Sequence, residues 1–258
     1  MKKLLAVFVA LLILTGSKFV YLSSVQAQMS QTIVGQSQFP TPAGRWLVIE
    51  GGSATSALDS SVHGNNGTWT GTKSCSSSYY TTGFSPFTYS GCLDGSTNYV
   101  SIPDSTSLQF GTGSFTASIW VYATAFKNTN STSNVLLSKN YTGFEIYFYK
   151  FGGTVSAYMG GTSNPINGTF TLATSTLYHV VLSRIGSAAT LYVNGVSVGT
   201  ATNSASVSNA GTAIEIGNRT GSAISSFGFS GDMGSAEMWN VGFTASQVKA
   251  LYLAGPSA

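Results

Sequence analysis

The sequence predicts an all-β fold, one large sandwich of short strands finished by a single short helix near the C-terminus. Three observations carry this expectation. Runs rich in β-branched and aromatic residues recur from residue 45 to residue 239, broken by Gly, Asn and Ser clusters. Asn194-Gly195 stands between two apolar runs, a strong type I′ hairpin signal because both central residues must take positive φ. Only the stretch from Thr244 to Tyr252 places apolar residues at helical period.

In chain order, strands are expected near 45–49, 98–102, 114–122, 134–139, 143–149, 154–159, 178–183, 189–194, 196–199, 212–217 and 228–239. At 143–149 the side chains alternate. Phe144, Ile146 and Phe148 share one face, and Glu145, Tyr147 and Tyr149 share the other. The last strand is rich in small and aromatic residues, with Ala236 and Met238 on one face, and it runs directly into the helix. Thr244 and Gln247 have capping-box spacing there, and Val248, Leu251 and Tyr252 form the apolar stripe.

Ahead of the strands, Lys2 and Lys3 precede an apolar run from Leu4 to Leu14, and Val25-Gln26-Ala27 offers a small-x-small cleavage site. That pattern is a secretory signal peptide over residues 1–27, of bacterial type. The apolar run is too short to span a bilayer, so no membrane span is expected after cleavage. Residues 28–44 read as a flexible arm stiffened by Pro40 and Pro42, and residues 45–258 read as one domain. Within the arm, Gln31 to Gly35 is long enough to add one strand to a neighbour's sheet edge.

The chain has 11 basic and 8 acidic residues, but Lys2, Lys3 and Lys18 lie in the signal segment, which leaves 8 of each sign. A neutral domain has no basic patch for a nucleic-acid backbone, so no nucleic-acid partner is expected. Charged residues make up 7% of the chain, against about 25% in ordinary soluble domains. A surface of Ser, Thr, Asn and Gly suits sugar binding, and without net repulsion it also permits self-association. The two cysteines, Cys75 and Cys92, form an even count in a chain read as exported, which predicts a disulfide closing the loop 76–91.

The stretch FGFSGDMGSAEMWNVGFTASQVKALYLAG, residues 227–255, resembles the closing segment of pentraxin and laminin G-like domains: Gly-Asp-Ile-Gly, then Met-Trp, then a short helix. LDGSTNYVSIP (93–103) is similar to the opening strand of laminin G-like and concanavalin A-like domains. SFTASIWVYA (114–123) is similar to their core strand, and LYHVVLSRIGSAATLYVNGVSVG (177–199) to their Leu-Tyr-Val-Asn-Gly hairpin. The matches follow in family order from about Arg45 to Leu253. The resemblance implies a concanavalin A-like jelly roll, two antiparallel sheets with one short C-terminal helix. That fold hosts lectins, adhesion modules, spacers and hydrolases.

The resemblance also implies one structural calcium at the sandwich rim, held by an Asp and backbone carbonyls in a tight Gly/Asn turn. The run from Asp59 to Gly67 looks like that turn, so Asp59 and Asn65 are the expected ligands. Two features depart from the pattern. Gly234 stands where the closing strand of the family often carries Asp, and Asn218-Arg219-Thr220 replaces the acidic calcium cluster of pentraxins.

Catalysis has little support in the sequence. No two of the 8 acids lie within four positions of each other, so the Glu-x-Asp-x-x-Glu pattern of the family's hydrolases is absent. No Gly-x-Ser-x-Gly elbow exists, and His179 alternates with apolar neighbours at a position the family uses structurally. For binding, Tyr147 and Tyr149 share an outward sheet face on which sugar rings stack, and Tyr79, Tyr80 and Tyr89 form a second aromatic group. The expected function is a secreted, non-catalytic module that recognises an extracellular carbohydrate, matrix or cell-surface ligand. The alternatives are a self-assembling subunit of a filament or surface layer and, third, a glycoside hydrolase with acids converging from separate strands.

Overall fold

The computed structural model describes residues 39–256, except 49, 52, 76–77, 83–86, 128–132, 150–153 and 164. The expected signal peptide and the strand considered at 31–35 lie outside the described residues. Sixteen strands are described. The first eight are β1 Gly44–Trp46, β2 Ser56–Ala57, β3 Gly67–Thr70, β4 Tyr80–Thr82, β5 Tyr89–Asp94, β6 Tyr99–Ile102, β7 Phe115–Ala125 and β8 Ser133–Ser138. They are followed by β9 Phe144–Tyr149, β10 Thr154–Met159, β11 Ile166–Thr171, β12 Thr176–Ile185, β13 Ala188–Val193, β14 Val196–Thr202, β15 Ile214–Ile216 and β16 Ser230–Trp239. A one-turn helix, α1, spans Ile224–Phe227, and α2 spans Ala245–Ala254. No described helix is long and apolar enough to cross a membrane.

The strands form two eight-stranded antiparallel sheets. The first runs β14-β13-β12-β7-β16-β5-β4, with β1 also paired to β16, and the second runs β11-β10-β9-β8-β15-β6-β3-β2. Between them lies the core expected from alternation. Phe144, Ile146 and Phe148 of β9 are buried in it, with Phe115, Val121, Leu182 and Met238 from the facing sheet. Ring edges lock it: Phe148 meets Tyr178 at 6.2 Å and Phe229 at 5.9 Å.

Local signals act where the sequence placed them. Asn194 and Gly195 have φ of 51° and 74°, and Val193 pairs with Val196 across this two-residue loop. Thr244 caps α2 with a complete capping box, and Val248 and Leu251 are buried beneath the helix. Along one side the edges β11 and β14 almost touch. A Cβ at Gly199 would lie 2.8 Å from the Asn167 carbonyl, so only glycine permits this approach.

Five strands went unpredicted: β2, β3, β4, β5 and β11. All hold six residues or fewer, and the first four are mainly Ser, Thr, Gly and Tyr. In the fifth, β11, Gly168 takes a buried position and so breaks the apolar alternation. Cys75 and Cys92 are bonded, 17 positions apart, with Cα atoms 6.1 Å apart. Cys92 sits on β5, so the bridge fastens the 76–91 loop to the first sheet, an arrangement suited to an oxidising compartment. Reduction with a thiol reagent should lower unfolding free energy by about 3 kcal/mol, the chain-entropy value for a loop of this size. Urea unfolding with and without reductant measures it; equal midpoints would remove the bridge from the stability account.

Candidate functional site

The second sheet presents an outer face whose side chains follow from strand register. Glu145, Tyr147 and Tyr149 of β9 project there, and cross-strand pairing sets Tyr158 beside Glu145 and Ser156 beside Tyr147. Asn167 of β11 pairs with Ser156 and is exposed. The three tyrosines form one cluster: Tyr147 stacks on Tyr158 at 4.9 Å and meets the Tyr149 ring at a steep angle, 6.4 Å away. They differ in exposure. Tyr149 is 41% exposed, whereas Tyr147 is 2% exposed and forms the floor of the cluster, its hydroxyl pKa pushed up first by burial and then by Tyr158. Alternation found the face but not the depth of each ring.

Glu145 lies on this face yet is fully buried, because Arg219 covers it. The guanidinium donates from Nε to Oε2 at 2.8 Å and from Nη2 to Oε1 at 2.6 Å, a bidentate pair. Its other surface lies over Phe227, 3.9 Å from the ring centroid. Burial alone would lower the Arg219 pKa, but the bonds to Glu145 outweigh it and raise it. Two further bonds pin the 218–227 segment to the sheet: Asn218 Nδ2 donates to Glu215 at 2.8 Å, and Thr220 Oγ1 donates to the Ser138 carbonyl at 3.0 Å.

Glu215 and Glu145 flank Ser138 on one face, so two acids from separate strands do come together, with backbones on the order of 10 Å apart. Neither is free for acid–base work. Both oxygens of Glu145 are held by Arg219, and Glu215 is buried and bonded to Asn218. Burial raises the Glu215 pKa, partly offset by that bond.

The turn expected to hold calcium is built as a hydrogen-bond hub. Asp59 Oδ1 accepts from the amides of Arg45 and Ser61, both at 2.8 Å. Its Oδ2 accepts from the Ser61 hydroxyl at 2.8 Å and the Asn65 amide at 2.7 Å. Asn65 spends its side-chain amide on the Ala43 carbonyl and Ser107. Four donors on one carboxylate leave no lone pair directed at an ion, so this arrangement does not fit calcium and reads as an Asx-type turn. Of the second aromatic group, Tyr79 and Tyr80 are buried against Trp69, at 5.1 and 5.6 Å, and Tyr89 alone stays exposed.

The outer face of the first sheet is partly covered by α2. Tyr252 stacks 5.8 Å from Trp120 and 6.1 Å from His179. His179 is fully buried, with Nε2 2.8 Å from Ser118 Oγ, and burial pushes its pKa down to about 3. It serves packing, as its apolar neighbours in sequence implied. Tyr158 and Arg219 were missed as site residues. Tyr158 was legible, because Val155, Ala157 and Met159 alternate with it, whereas the partnership of Arg219 with Glu145 spans 74 positions.

With this architecture in place, the chain's class is defined. It belongs to the laminin G group of the concanavalin A-like lectin/glucanases superfamily, whose model matches residues 94–249. Domain 4 of AbnA, an extracellular arabinanase from Geobacillus stearothermophilus solved with arabinotriose, is 19% identical, with a TM-score of 0.60 over 82% of this chain and 98% of that one. The binding domain of Paraclostridial Mosquitocidal Protein 1 is 14% identical, with a TM-score of 0.64 over 82% of this chain and 52% of that one. The binding domain of botulinum neurotoxin DC, solved with rat synaptotagmin II, is 11% identical, with a TM-score of 0.59 over 83% and 51%. The chain thus spans about half the length of the two toxin domains, and at these identities the likeness establishes fold. No curated protein matches the chain.

The buried His179 makes stability pH-dependent. Its folded pKa is depressed below the ordinary 6.5, so the unfolded chain binds the extra proton and stability falls as pH drops below about 6.5. Between pH 7 and pH 5 this group alone should remove about 2 kcal/mol. Glu215 and Asp232, with raised pKa values, act in the opposite sense, so the comparison needed is with His179→Phe. The variant should show a shallower loss over that window in denaturant titrations. Equal slopes would mean that burial does not depress the His179 pKa in the fold.

Proposed function

We propose that the chain is a secreted, non-catalytic carbohydrate-binding domain that takes an extracellular glycan on the outer face of its second sheet. One observation carries the reading: an exposed Tyr149 ring stands on a packed floor of Tyr147 and Tyr158. A sugar ring presents an apolar face to stack on such a platform and a rim of hydroxyls. Asn167 and the tyrosine hydroxyls lie beside it to take those hydroxyls. The Arg219–Glu145 pair is internally neutral, so the platform favours neutral sugars over charged ones. The likeness to an arabinanase domain solved with arabinotriose supports the choice of first probes, arabino-oligosaccharides within a wider glycan array. Absence of catalysis rests on the engaged state of Glu145 and Glu215.

Residues 28–258 should bind at least one neutral oligosaccharide. Tyr149→Ala should weaken that binding about tenfold while leaving the melting temperature unchanged, since a ring contact is worth about 1 kcal/mol. Tyr147→Ala should instead destabilise the fold by about 3 kcal/mol, the cost of emptying a buried aromatic site. An array silent to every neutral glycan, or full affinity in Tyr149→Ala, would contradict the assignment. Because the Asp59 turn is satisfied by its own donors, a chelator should change neither binding nor melting temperature. A chelator-induced drop in either would restore calcium to the account.

A further inference from the structure

The eight carboxylates are not used alike. Glu50, Asp59, Asp94, Asp104, Glu145, Glu215 and Glu237 each hold a hydrogen-bond donor or a cation. Asp232 accepts no hydrogen bond and pairs with no cation among the described residues, although it is only partly exposed. Partial burial raises its pKa, and with no described protein donor beside it the carboxylate is left for solvent or a ligand to complete.

Its surroundings indicate what would complete it. Asp232 lies on the outer face of the first sheet, between Cys92 on β5 and Tyr122 on β7. Its carboxylate oxygen is within 4.8 Å of both disulfide sulfurs. Two positions along β7, Trp120 shares the face with Tyr122, and the Phe87 ring stands at a steep angle to Trp120, 6.3 Å away. Phe87 can sit there because Gly234 is an unpaired bulge in β16; a Cβ on it would lie 2.0 Å from the Phe87 ring. The disulfide holds one wall, and the bulge admits a ring to the other.

The sulfurs are bonded to each other, so they offer no thiolate, and one carboxylate makes a poor metal site. A neutral apolar ligand would leave the charge unmatched, and an anion would be repelled. A primary ammonium brings three donors and full charge complementarity. We propose that Asp232, walled by the Cys75–Cys92 disulfide and Tyr122 with Phe87 and Trp120 adjoining, binds a primary ammonium group. It is borne on an amino sugar or a lysine side chain. The site is on the opposite sheet from Tyr149 and does not depend on the glycan reading.

The test is chemical-shift titration of the oxidised chain at about pH 6.5, where the amines are protonated. Glucosamine, N-acetylglucosamine and N-acetyl-lysine amide serve as probes. At least one amine should shift resonances of Gly231, Asp232 and Tyr122, and N-acetylglucosamine should leave them still. Asp232→Asn should weaken the amine about tenfold or more, the worth of a charge-assisted contact, without loss of melting temperature or of the response at Tyr149. A response to glucosamine alone identifies an amino sugar, and a response to the lysine amide alone identifies a protein side chain. No shift with either amine, equal shifts with N-acetylglucosamine, or undiminished binding by Asp232→Asn would overturn the proposal.

Discussion

A carboxylate on a sheet face that has been closed to water must find donors, and Glu145 finds two of its own in Arg219. That pair governs the second sheet. Reaching Glu145 draws the 218–227 segment down over β8 and β9, and Phe227 then covers the guanidinium. With the segment held, the tyrosines beyond Glu145 keep fixed depths, Tyr147 below and Tyr149 above. Breaking one partner of such a pair costs about 3–5 kcal/mol, because the other charge is left buried alone. The low charge of the chain follows the same logic. Seven of its eight acids hold turns, amides or cations of the fold.

The two sheets divide labour. In the first, α2 docks through Tyr252 onto Trp120 and His179 and converts much of the outer face into a second, smaller core. Arg184, also buried, binds the carbonyls of Gly111, Gly113 and Ala205, and so ties the connection after β14 to the chain leading into β7. The outer face that carries no helix is therefore that of the second sheet. There the sequence places rings and amides where the first sheet places packing residues.

Much of this fold was legible in the sequence because its signals are local. The β13–β14 hairpin needs two residues with positive φ, and Asn194-Gly195 declares it. The helix needs a cap, and Thr244 with Gln247 declares it. The long strands β7, β12 and β16 show their pattern over ten or more residues. What escaped is short or non-local. Strands of two to six residues such as β2 and β5 take their extended form from neighbours instead of propensity. The site divides in the same way. Alternation put Tyr147 and Tyr149 on one face, but burial of the first depends on packing no local pattern encodes. The Asp59 turn shows the reverse case. Its Asp, Gly and Asn residues suit a calcium loop and an Asx-type turn equally, and only the four donors around the carboxylate separate the two.

The account rests on the claim that the helix-free face, held by Arg219 and Glu145, is where the glycan sits. The most direct test is a crystal structure with a bound neutral oligosaccharide. The account predicts a sugar ring stacked on Tyr149, hydroxyls bonded to Asn167 or Tyr158, and an unbroken Arg219–Glu145 pair. A sugar seated among the loops around Asp59, with the Tyr149 face bare, would contradict it.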